Sequence, residues 1–361
     1  MTDVRAATGP AAPPDIEITG TAQHRAWQER QLPPVEQLAP DLWSIPVPIP
    51  HNPLRYVSVY AFAGPAGLTL IDAGWDSDEG WDALQAGLDG IGGAVAQVRG
   101  VLVTHAHFDH IGLARRVREV SGAWVALHPA DAAVVSRPDF RDAHLAVATQ
   151  ARWLQAQGAP ADEAAAVVGT PEQYAAFTTM ALADRLLRHG ELADVPGWTL
   201  RAIHTPGHTP GHLCFLDERT GLLFSGDHVL PRISPNISAD RASDPDPLGD
   251  YLAALQDIRS LDVREVLPAH EWRFRGLQAR VDQLTAHHEA RLAELLVAVR
   301  TNPGGVPWDL AGLLTWSRPW DQYDGHMRIF AVTETLAHLR QLLTRGLIVA
   351  SEGPVPTYTA V

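Results

Sequence analysis

Short apolar runs alternate with amphipathic stretches from about residue 40 to residue 128, and this pattern predicts a layered α/β fold. LWSIPVPIP, YVSVYAFA and GLTLI are read as strands because β-branched and aromatic residues dominate them. Helical spacing over Asp78–Leu88 then precedes an apolar run at residues 100–104. A helix over about 111–120 and the strand AWVALH follow. In alternating folds of this kind the strands end in loops at one edge of the sheet, so we expect the functional residues in those loops.

The segment 129–195 interrupts the alternation with Ala-rich sequence. Its spacing predicts helices over about 142–157 and 171–188, separated by Gly and Pro breaks. Strands are then predicted in WTLRAIHT, HLCFLD, GLLFSGD and REVLPAH, with a helix over about 248–261 before the last of them. We interpret 129–195 as an insertion, which either packs on the body or forms a lid with an apolar pocket over the site.

Beyond Phe274 the pattern becomes helical, with helices predicted over about 277–300, 308–314 and 326–345. A two-stranded wing is predicted in GLIVASEGPVPTYTAV, so this end is winged-helix-like. The predicted organisation is an N-terminal arm at 1–38, a catalytic domain at 39–275 that contains the 129–195 insertion, and a C-terminal domain at 276–361. The arm has no sustained periodicity and is interpreted as lying on the body or as partly disordered, and order is expected to begin near Leu42.

Composition narrows the function classes. The 361 residues carry 28 basic and 42 acidic side chains, a net charge of −14, and none of the basic ones is lysine. Residues 281–361 hold six arginines against eight acids, which favours packing or homodimerisation of the C-terminal domain over nucleic-acid binding. The single cysteine, Cys214, excludes an internal disulfide. With neither a run of ~20 apolar residues nor a signal peptide, we expect a cytoplasmic protein outside the membrane.

Four candidate metal ligands lie within six residues of VLVTHAHFDHIG: His105, His107, Asp109 and His110. His105 and His107 are two apart at a strand end, so their rings leave the backbone on one face. Such a group is costly to bury together unless its members share a cation. Imidazole and carboxylate suit zinc, manganese or iron, whereas the lack of thiolates argues against a structural zinc site.

Three further segments place one candidate ligand each just past a strand. They are His208 in TPGHTPGH, Asp227 in SGD and His270 in PAH. Together with VLVTHAHFDHIG and IDAG at 71–74, this ordered set resembles the metallo-β-lactamase superfamily of metal hydrolases. The resemblance covers about residues 40–275 and implies a four-layer αβ/βα sandwich.

The resemblance also implies a role for each residue. His105, His107 and His208 would bind one metal ion, Asp109, His110 and His270 a second, and Asp227 would bridge both. Asp72 would brace the ligand loop by hydrogen bonding. Two divalent cations, zinc first and manganese or iron as alternatives, would lower the pKa of a shared water to ~7. Asp109 and Asp227 would orient the resulting hydroxide.

The implied function is hydrolysis of an ester, thioester or lactone of a small-molecule substrate, with a lipophilic part if the insertion forms a pocket. Two alternatives remain: a mononuclear-iron persulfide dioxygenase and an endoribonuclease or other nucleic-acid processing protein. The glyoxalase-II branch has similar ligands, but the winged-helix-like end replaces its glutathione-binding part. His212 and His228 are assigned to packing or hydrogen bonding, although His228 could instead donate to a substrate oxyanion.

Overall fold

The computed structural model describes residues 16–239, 245–323 and 325–361. The strands are β1 (Glu17–Ile18), β2 (Glu36–Ala39), β3 (Leu42–Pro48), β4 (Tyr56–Gly64), β5 (Gly67–Ile71), β6 (Val98–Leu102), β7 (Trp124–Leu127), β8 (Arg185–Leu186), β9 (Leu200–His204), β10 (Leu213–Asp217), β11 (Leu222–Gly226), β12 (Glu265–Pro268), β13 (Phe274–Arg275), β14 (Ile348–Ala350) and β15 (Tyr358–Ala360). The helices are α1 (Thr21–Glu29), α2 (Asp78–Gly90), α3 (Phe108–Ile111), α4 (Ala114–Ser121), α5 (Pro129–Val135), α6 (Ala143–Ala156), α7 (Ala161–Val168), α8 (Pro171–Tyr174), α9 (Pro247–Arg259), α10 (Leu277–Thr301), α11 (Pro307–Leu313) and α12 (Gly325–Thr344).

Two mixed sheets form the centre of the molecule. One runs β2-β3-β4-β5-β6-β7-β8 and the other β1-β13-β12-β11-β10-β9. Apolar side chains of both sheets share a single buried cluster, which includes Phe62 and Leu102 from the first and Phe215 and Phe224 from the second. Helices α2 and α4 cover the outer face of the first sheet, and α9 and α10 that of the second. The predicted four-layer αβ/βα arrangement is therefore confirmed.

Order begins earlier than the sequence indicates. Strand β1 pairs antiparallel with β13, and helix α1 packs its Trp27 against Trp272, with ring centroids 5.3 Å apart. The side chain of Gln23 is buried and its Oε1 accepts a hydrogen bond from the backbone N–H of Arg273 at 3.1 Å. Residues 17–27 are thus anchored by partners some 250 positions away, which local periodicity does not register. Residues 1–15 of the predicted arm lie outside the described residues.

The insertion is partly as predicted. Helix α6 confirms the first predicted helix, but the one expected over 171–188 ends at Tyr174 and is followed by a 3-10 helix at Ala175–Thr179. The chain then joins the first sheet as β8, next to β7. The carboxylate of Asp184 accepts the backbone N–H of Val125 at 2.9 Å. Edge pairing with β7 therefore outweighs the helical propensity of this stretch.

The insertion packs against the C-terminal helices. Leu154 of α6 and Val168 of α7 share a buried cluster with Trp308 of α11 and Val332 of α12. Arg328 on α12 also forms an ion pair with Glu163 on α7 at 2.8 Å. Part of the insertion's apolar surface is therefore buried against the C-terminal helices, and its use as a lid stays a prediction.

The C-terminal segment continues the core of the second sheet. Leu223 and Val266 of the sheet belong to the same buried cluster as Leu292 of α10 and Leu336 of α12. Strands β14 and β15 pair antiparallel, in the place of the predicted wing. The winged-helix comparison and the domain boundary at 276 remain predictions. Within the described ranges, no helix is both long enough and apolar enough to cross a membrane.

Candidate metal centre

The first ligand group lies on the turn between β6 and α3. His107 is the N-cap residue of α3, and His110 lies in that helix. His105 and His110 are fully buried, whereas His107 is exposed and Asp109 half-buried. The Nε2 of His105 lies 2.9 Å from the Nδ1 of His107. The group therefore opens to solvent on the side of His107 and Asp109.

The second sheet supplies the remaining three candidates. His208 follows β9, Asp227 follows β11 and His270 follows β12. All three are buried. Each leaves its strand at the sheet edge that meets the turn after β6, so residues far apart in sequence converge there.

Three sets of donor atoms lie close enough to hold a cation. In each set the ligand atoms lie within 4.8 Å of one another; the sets are His105 with His107 and His208, His105 with His110 and Asp227, and Asp109 with His110 and His270. Asp227 stands between the others: its Oδ2 lies 3.5 Å from the Nε2 of His208, and its Oδ1 lies 3.5 and 3.3 Å from the Nε2 atoms of His110 and His270. All seven predicted ligands are thus brought together.

Four atoms that could coordinate a metal at this centre are buried without a hydrogen-bond partner. They are the Nε2 atoms of His110, His208 and His270 and the Oδ1 of Asp227. A buried polar atom without a partner costs about 1–3 kcal/mol. All four face the same small volume, where one or two cations would satisfy them together. The residues present therefore fit the metal ions that such a donor set implies.

The electrostatics of the group also favour cations. Burial lowers the pKa of His105 and His208, so these imidazoles are neutral at pH 7 and can bind a metal. Burial opposes a charge on His270 too, but Asp227 and Asp109 outweigh it and raise its pKa to about 10. In the absence of a metal ion, a proton therefore balances part of the carboxylate charge.

Hydrogen bonds on the outer ring nitrogens orient the histidines. The Nδ1 of His105 lies 3.0 Å from the Oγ1 of Thr104, and the Nδ1 of His110 lies 2.8 Å from the Oδ2 of Asp72. The Nδ1 of His208 contacts the carbonyl oxygen of Asn236 at 2.7 Å. The Nδ1 of His270 contacts the carbonyl oxygen of Tyr56 at 2.9 Å. Asp72 also accepts the backbone N–H of Thr104 at 2.8 Å, from a left-handed backbone with φ of 60°. This is the bracing position expected for Asp72.

Asp131, in α5, is not identified by the sequence pattern. Its Oδ2 accepts the backbone N–H of Ala106 at 2.7 Å and the hydroxyl of Thr209 at 2.9 Å, and its Oδ1 accepts the backbone N–H of Gly211 at 2.6 Å. It therefore joins the turn of His105 and His107 to the turn of His208. The only local signal is an acidic residue four positions after a strand, in a segment interpreted as an insertion.

Replacing Asp131 with Ala is expected to weaken metal binding about tenfold, a loss common for residues that orient ligands. Three donors on two ligand turns would lose their acceptor at once. The measurement is metal affinity by chelator competition. Asp139→Ala is the matched control, because Asp139 is also a buried carboxylate of the insertion. Equal metal affinity in the Asp131 variant and the wild type would contradict a positioning role.

His212 and His228 lie beside the seven candidates but outside the three donor sets. The Nδ1 of His212 contacts the Thr205 hydroxyl at 2.8 Å, and its Nε2 accepts the backbone N–H of Asp227 at 3.1 Å. His212 therefore orients Asp227 by hydrogen bonding. His228 is fully buried with its ring against that of Tyr251, at 5.0 Å between centroids, which agrees with the packing role assigned to it.

Comparison with known proteins identifies the family. The profile of the Metallo-beta-lactamase superfamily matches residues 52–270. The probable metallo-hydrolase YqjP of Bacillus subtilis is 30% identical over 255 residues, covering 67% of this chain and 75% of that protein. The lactamase-like protein nscB of Trichophyton rubrum is 36% identical over 113 residues, 31% of this chain. That match spans only 33% of the fungal relative's length.

Solved structures with the same fold extend through the C-terminal segment. A metallo-beta-lactamase family protein from Thermus thermophilus has a TM-score of 0.74 at 29% identity and covers 90% of this chain and 100% of its own. A beta-lactamase domain protein from Burkholderia ambifaria has a TM-score of 0.75 at 27% identity, covering 96% and 97%. Sequence profile, relatives and fold agree that the chain belongs to the metallo-beta-lactamase superfamily.

Proposed function

We propose that the protein uses two divalent metal ions, most simply zinc, to hydrolyse an ester, thioester or lactone with a lipophilic part. The observation that carries the two-ion proposal is the position of Asp227. One of its oxygens faces His208 and the other faces His110 and His270, each at 3.3–3.5 Å. A carboxylate in this position can reach two cations at once. His105 and His107 complete the first group, and Asp109 the second.

When bound, the metal ions would supply a Lewis acid and lower the pKa of a water to near neutrality. The chain's own residues then arrange the reaction. In the metal-free protein, His110 and His270 hold the pKa of the Asp109 carboxyl to about 2 against the effect of burial, and a bound cation would keep this carboxylate ionised in their place. Being half-buried at the open side, it can accept a hydrogen bond from the attacking water and orient it. Asp227 fixes the relative position of the two groups of histidines.

A lipophilic substrate part is supported by the first turns of α12. Met327 and Phe330 lie one turn apart and are 41% and 48% exposed. The carbonyl of Phe330 accepts a hydrogen bond from the Nδ2 of Asn236, whose own carbonyl binds His208. The backbone at Phe330 therefore lies beside the loop that contacts a proposed ligand, and two large exposed apolar residues lie within one turn of that point. An acyl chain that covers them would be favoured by the burial of apolar surface.

Ion pairs in the C-terminal segment weigh against the nucleic-acid alternative. Arg328 pairs with Glu163, Arg345 with Glu289 and Arg291 with Glu294, each at 2.7–2.8 Å. Arginines held by carboxylates in this way have less charge to offer to phosphates. We retain packing within the chain or between two copies as the proposed role of this segment.

The test is a substrate panel of short- and long-chain acyl esters, thioesters, lactones and a phosphodiester. We expect carboxyl-ester or thioester turnover, with long chains preferred. The double variant Met327→Ala/Phe330→Ala should lower kcat/KM for long chains about tenfold and leave short chains unchanged, because only long chains cover the lost surface.

Leu313→Ala is the matched control, since Leu313 is 53% exposed on α11 of the same segment. Unchanged chain-length preference in the double variant would contradict the lipophilic subsite. Cleavage of the phosphodiester alone would contradict the proposed substrate class.

A further inference from the structure

Residues 229–239 form a loop that leaves the metal centre after Asp227 and runs to the C-terminal helices. We propose that α12 positions the metal ligand His208 through Asn236 of this loop, so that the C-terminal segment is a working part of the metal centre. The inference rests on the proposed function, because it takes His208 as a ligand. The residues that would act are Asn236 and Glu334.

The contact at the centre is a single hydrogen bond. The Nδ1–H of His208 donates to the carbonyl oxygen of Asn236 at 2.7 Å. This bond fixes the proton on Nδ1 and leaves Nε2, which faces the Oδ2 of Asp227 at 3.5 Å, as the free ligand atom. The ring is 8% exposed, and its position depends on where that carbonyl is held.

Helix α12 holds the carbonyl in place through the Asn236 side chain. Its Nδ2 donates to the Oε2 of Glu334 at 3.2 Å, and its Oδ1 accepts the hydroxyl of Ser238. Ser238 in turn contacts the Oγ1 of Thr333 at 3.1 Å, and the backbone N–H of Ala239 donates to the carbonyl of Thr333 at 3.0 Å. Side-chain and backbone bonds thus attach the end of the loop to one turn of α12.

Helix α10 holds the start of the same loop. The Nε of Arg280 donates to the carbonyl of Leu230 and its Nη2 to that of Ile233, both at 2.7 Å. Arg280 is only 5% exposed, so its charge is stabilised by these carbonyls instead of by solvent. Because both ends of the loop are tied to C-terminal helices, the carbonyl of Asn236 cannot shift without breaking bonds on α10 or α12.

Glu334 itself is oriented by the fold. The Nε of Arg291, on α10, lies 4.0 Å from its Oε1, and Arg291 is stacked over the ring of Trp316 with 4.5 Å between its Cζ and the ring centroid. The Glu334 side chain is 18% exposed. One oxygen of Glu334 therefore faces Arg291, and the other accepts the hydrogen bond from Asn236. Glu334 would act on His208 only through Asn236.

The test is metal binding by Asn236→Ala and Glu334→Ala. Both variants keep the Asn236 carbonyl but lose the hydrogen bond between Asn236 and Glu334, so we expect affinity for Co²⁺, measured by chelator competition, to fall about tenfold. The visible absorption of bound Co²⁺ should also change, because the geometry around His208 would relax. Glu334→Gln, which keeps an oxygen acceptor for Asn236, should restore much of the affinity.

Glu289→Ala is the matched control. Glu289, on α10, forms a two-bond ion pair at 2.7 Å with Arg345, the residue that follows the end of α12, and Arg345 is at the opposite end of that helix from Phe330 and Thr333. Glu289→Ala should leave Co²⁺ affinity and spectrum unchanged. Glu334→Ala could destabilise the metal-free protein more than this control does. In that case the Co²⁺ affinity and spectrum of Ser238→Ala decide the question, because this variant removes only the hydroxyl that donates to Asn236.

Wild-type affinity and spectrum in the anchor variants, or an equal effect of Glu289→Ala, would overturn the inference. Because Co²⁺ binding requires no substrate, this failure is distinct from failure of the proposed function. If the wild-type chain binds two Co²⁺ and the anchor variants bind them equally well, only the inference fails. If the wild type hydrolyses none of the proposed esters, the substrate proposal fails while the binding result stands.

Discussion

Asp227→Ala is expected to abolish turnover and to remove the second metal ion. Asp227 is the residue whose two oxygens face both groups of histidines, so its loss separates them and leaves His110 and His270 without the carboxylate between them. We expect kcat to fall by at least about a thousandfold, equivalent to roughly 4 kcal/mol of activation free energy. Steady-state kinetics and metal analysis of the purified variant are the measurements.

The control for this variant is Asp194→Ala, which removes a surface carboxylate that pairs with Arg99 and Arg185 and is 51% exposed. It should retain full activity and full metal content. Asp227→Asn separates the effect of charge from that of shape. A fully active, metal-replete Asp227→Ala protein would refute the assignment of this residue.

Removal of metal by a chelator is expected to abolish activity and to destabilise the fold. The metal-free centre contains unpartnered buried nitrogens and carboxylate charge that is balanced only by protons. With free metal about a thousandfold above its dissociation constant, binding stabilises the folded state by about 4 kcal/mol. Thermal unfolding of chelated and metal-loaded protein measures this difference as a lower Tm for the chelated form.

Reconstitution distinguishes the remaining alternatives. Zinc should restore both the hydrolytic activity and the Tm. If Asp227 bridges two metal ions, the restored protein should contain two zinc ions per chain. A protein that regains activity only with one iron, and consumes oxygen with a persulfide, would support the dioxygenase alternative instead. A chelated protein with unchanged turnover would contradict metal dependence altogether. Protein passed through the same metal-removal step, without chelator, is the control.

The sequence predicts which candidate ligands come together because each lies beside a recognisable strand end. His105, His107, Asp109 and His110 lie on one turn, and their spacing is visible without the fold. Asp131 and Asn236 are different. Asp131 forms hydrogen bonds with turns that lie 25 and 80 positions away in the sequence, and Asn236 forms one with His208, 28 positions away. The residues next to Asp131 and Asn236 in the sequence do not indicate these partners.

Local pattern also fails where distant contacts determine the structure. The weak periodicity of α1 leaves open whether the arm lies on the body or is partly disordered, and Trp272 and Arg273 anchor its described part. The helix expected over 171–188 gives way to β8 because β7 offers an unpaired edge. In both cases the stabilising partner lies in a part of the chain that a window of about 10–20 residues does not include.

The division of the ligands between the two sheets has a consequence for the order of folding events. The turn after β6 brings four of them from one half of the sandwich, and β9, β11 and β12 bring three from the other. Neither half alone encloses a complete set of donors. High-affinity binding of a metal ion would therefore follow the docking of the halves, and a bound ion would oppose their separation.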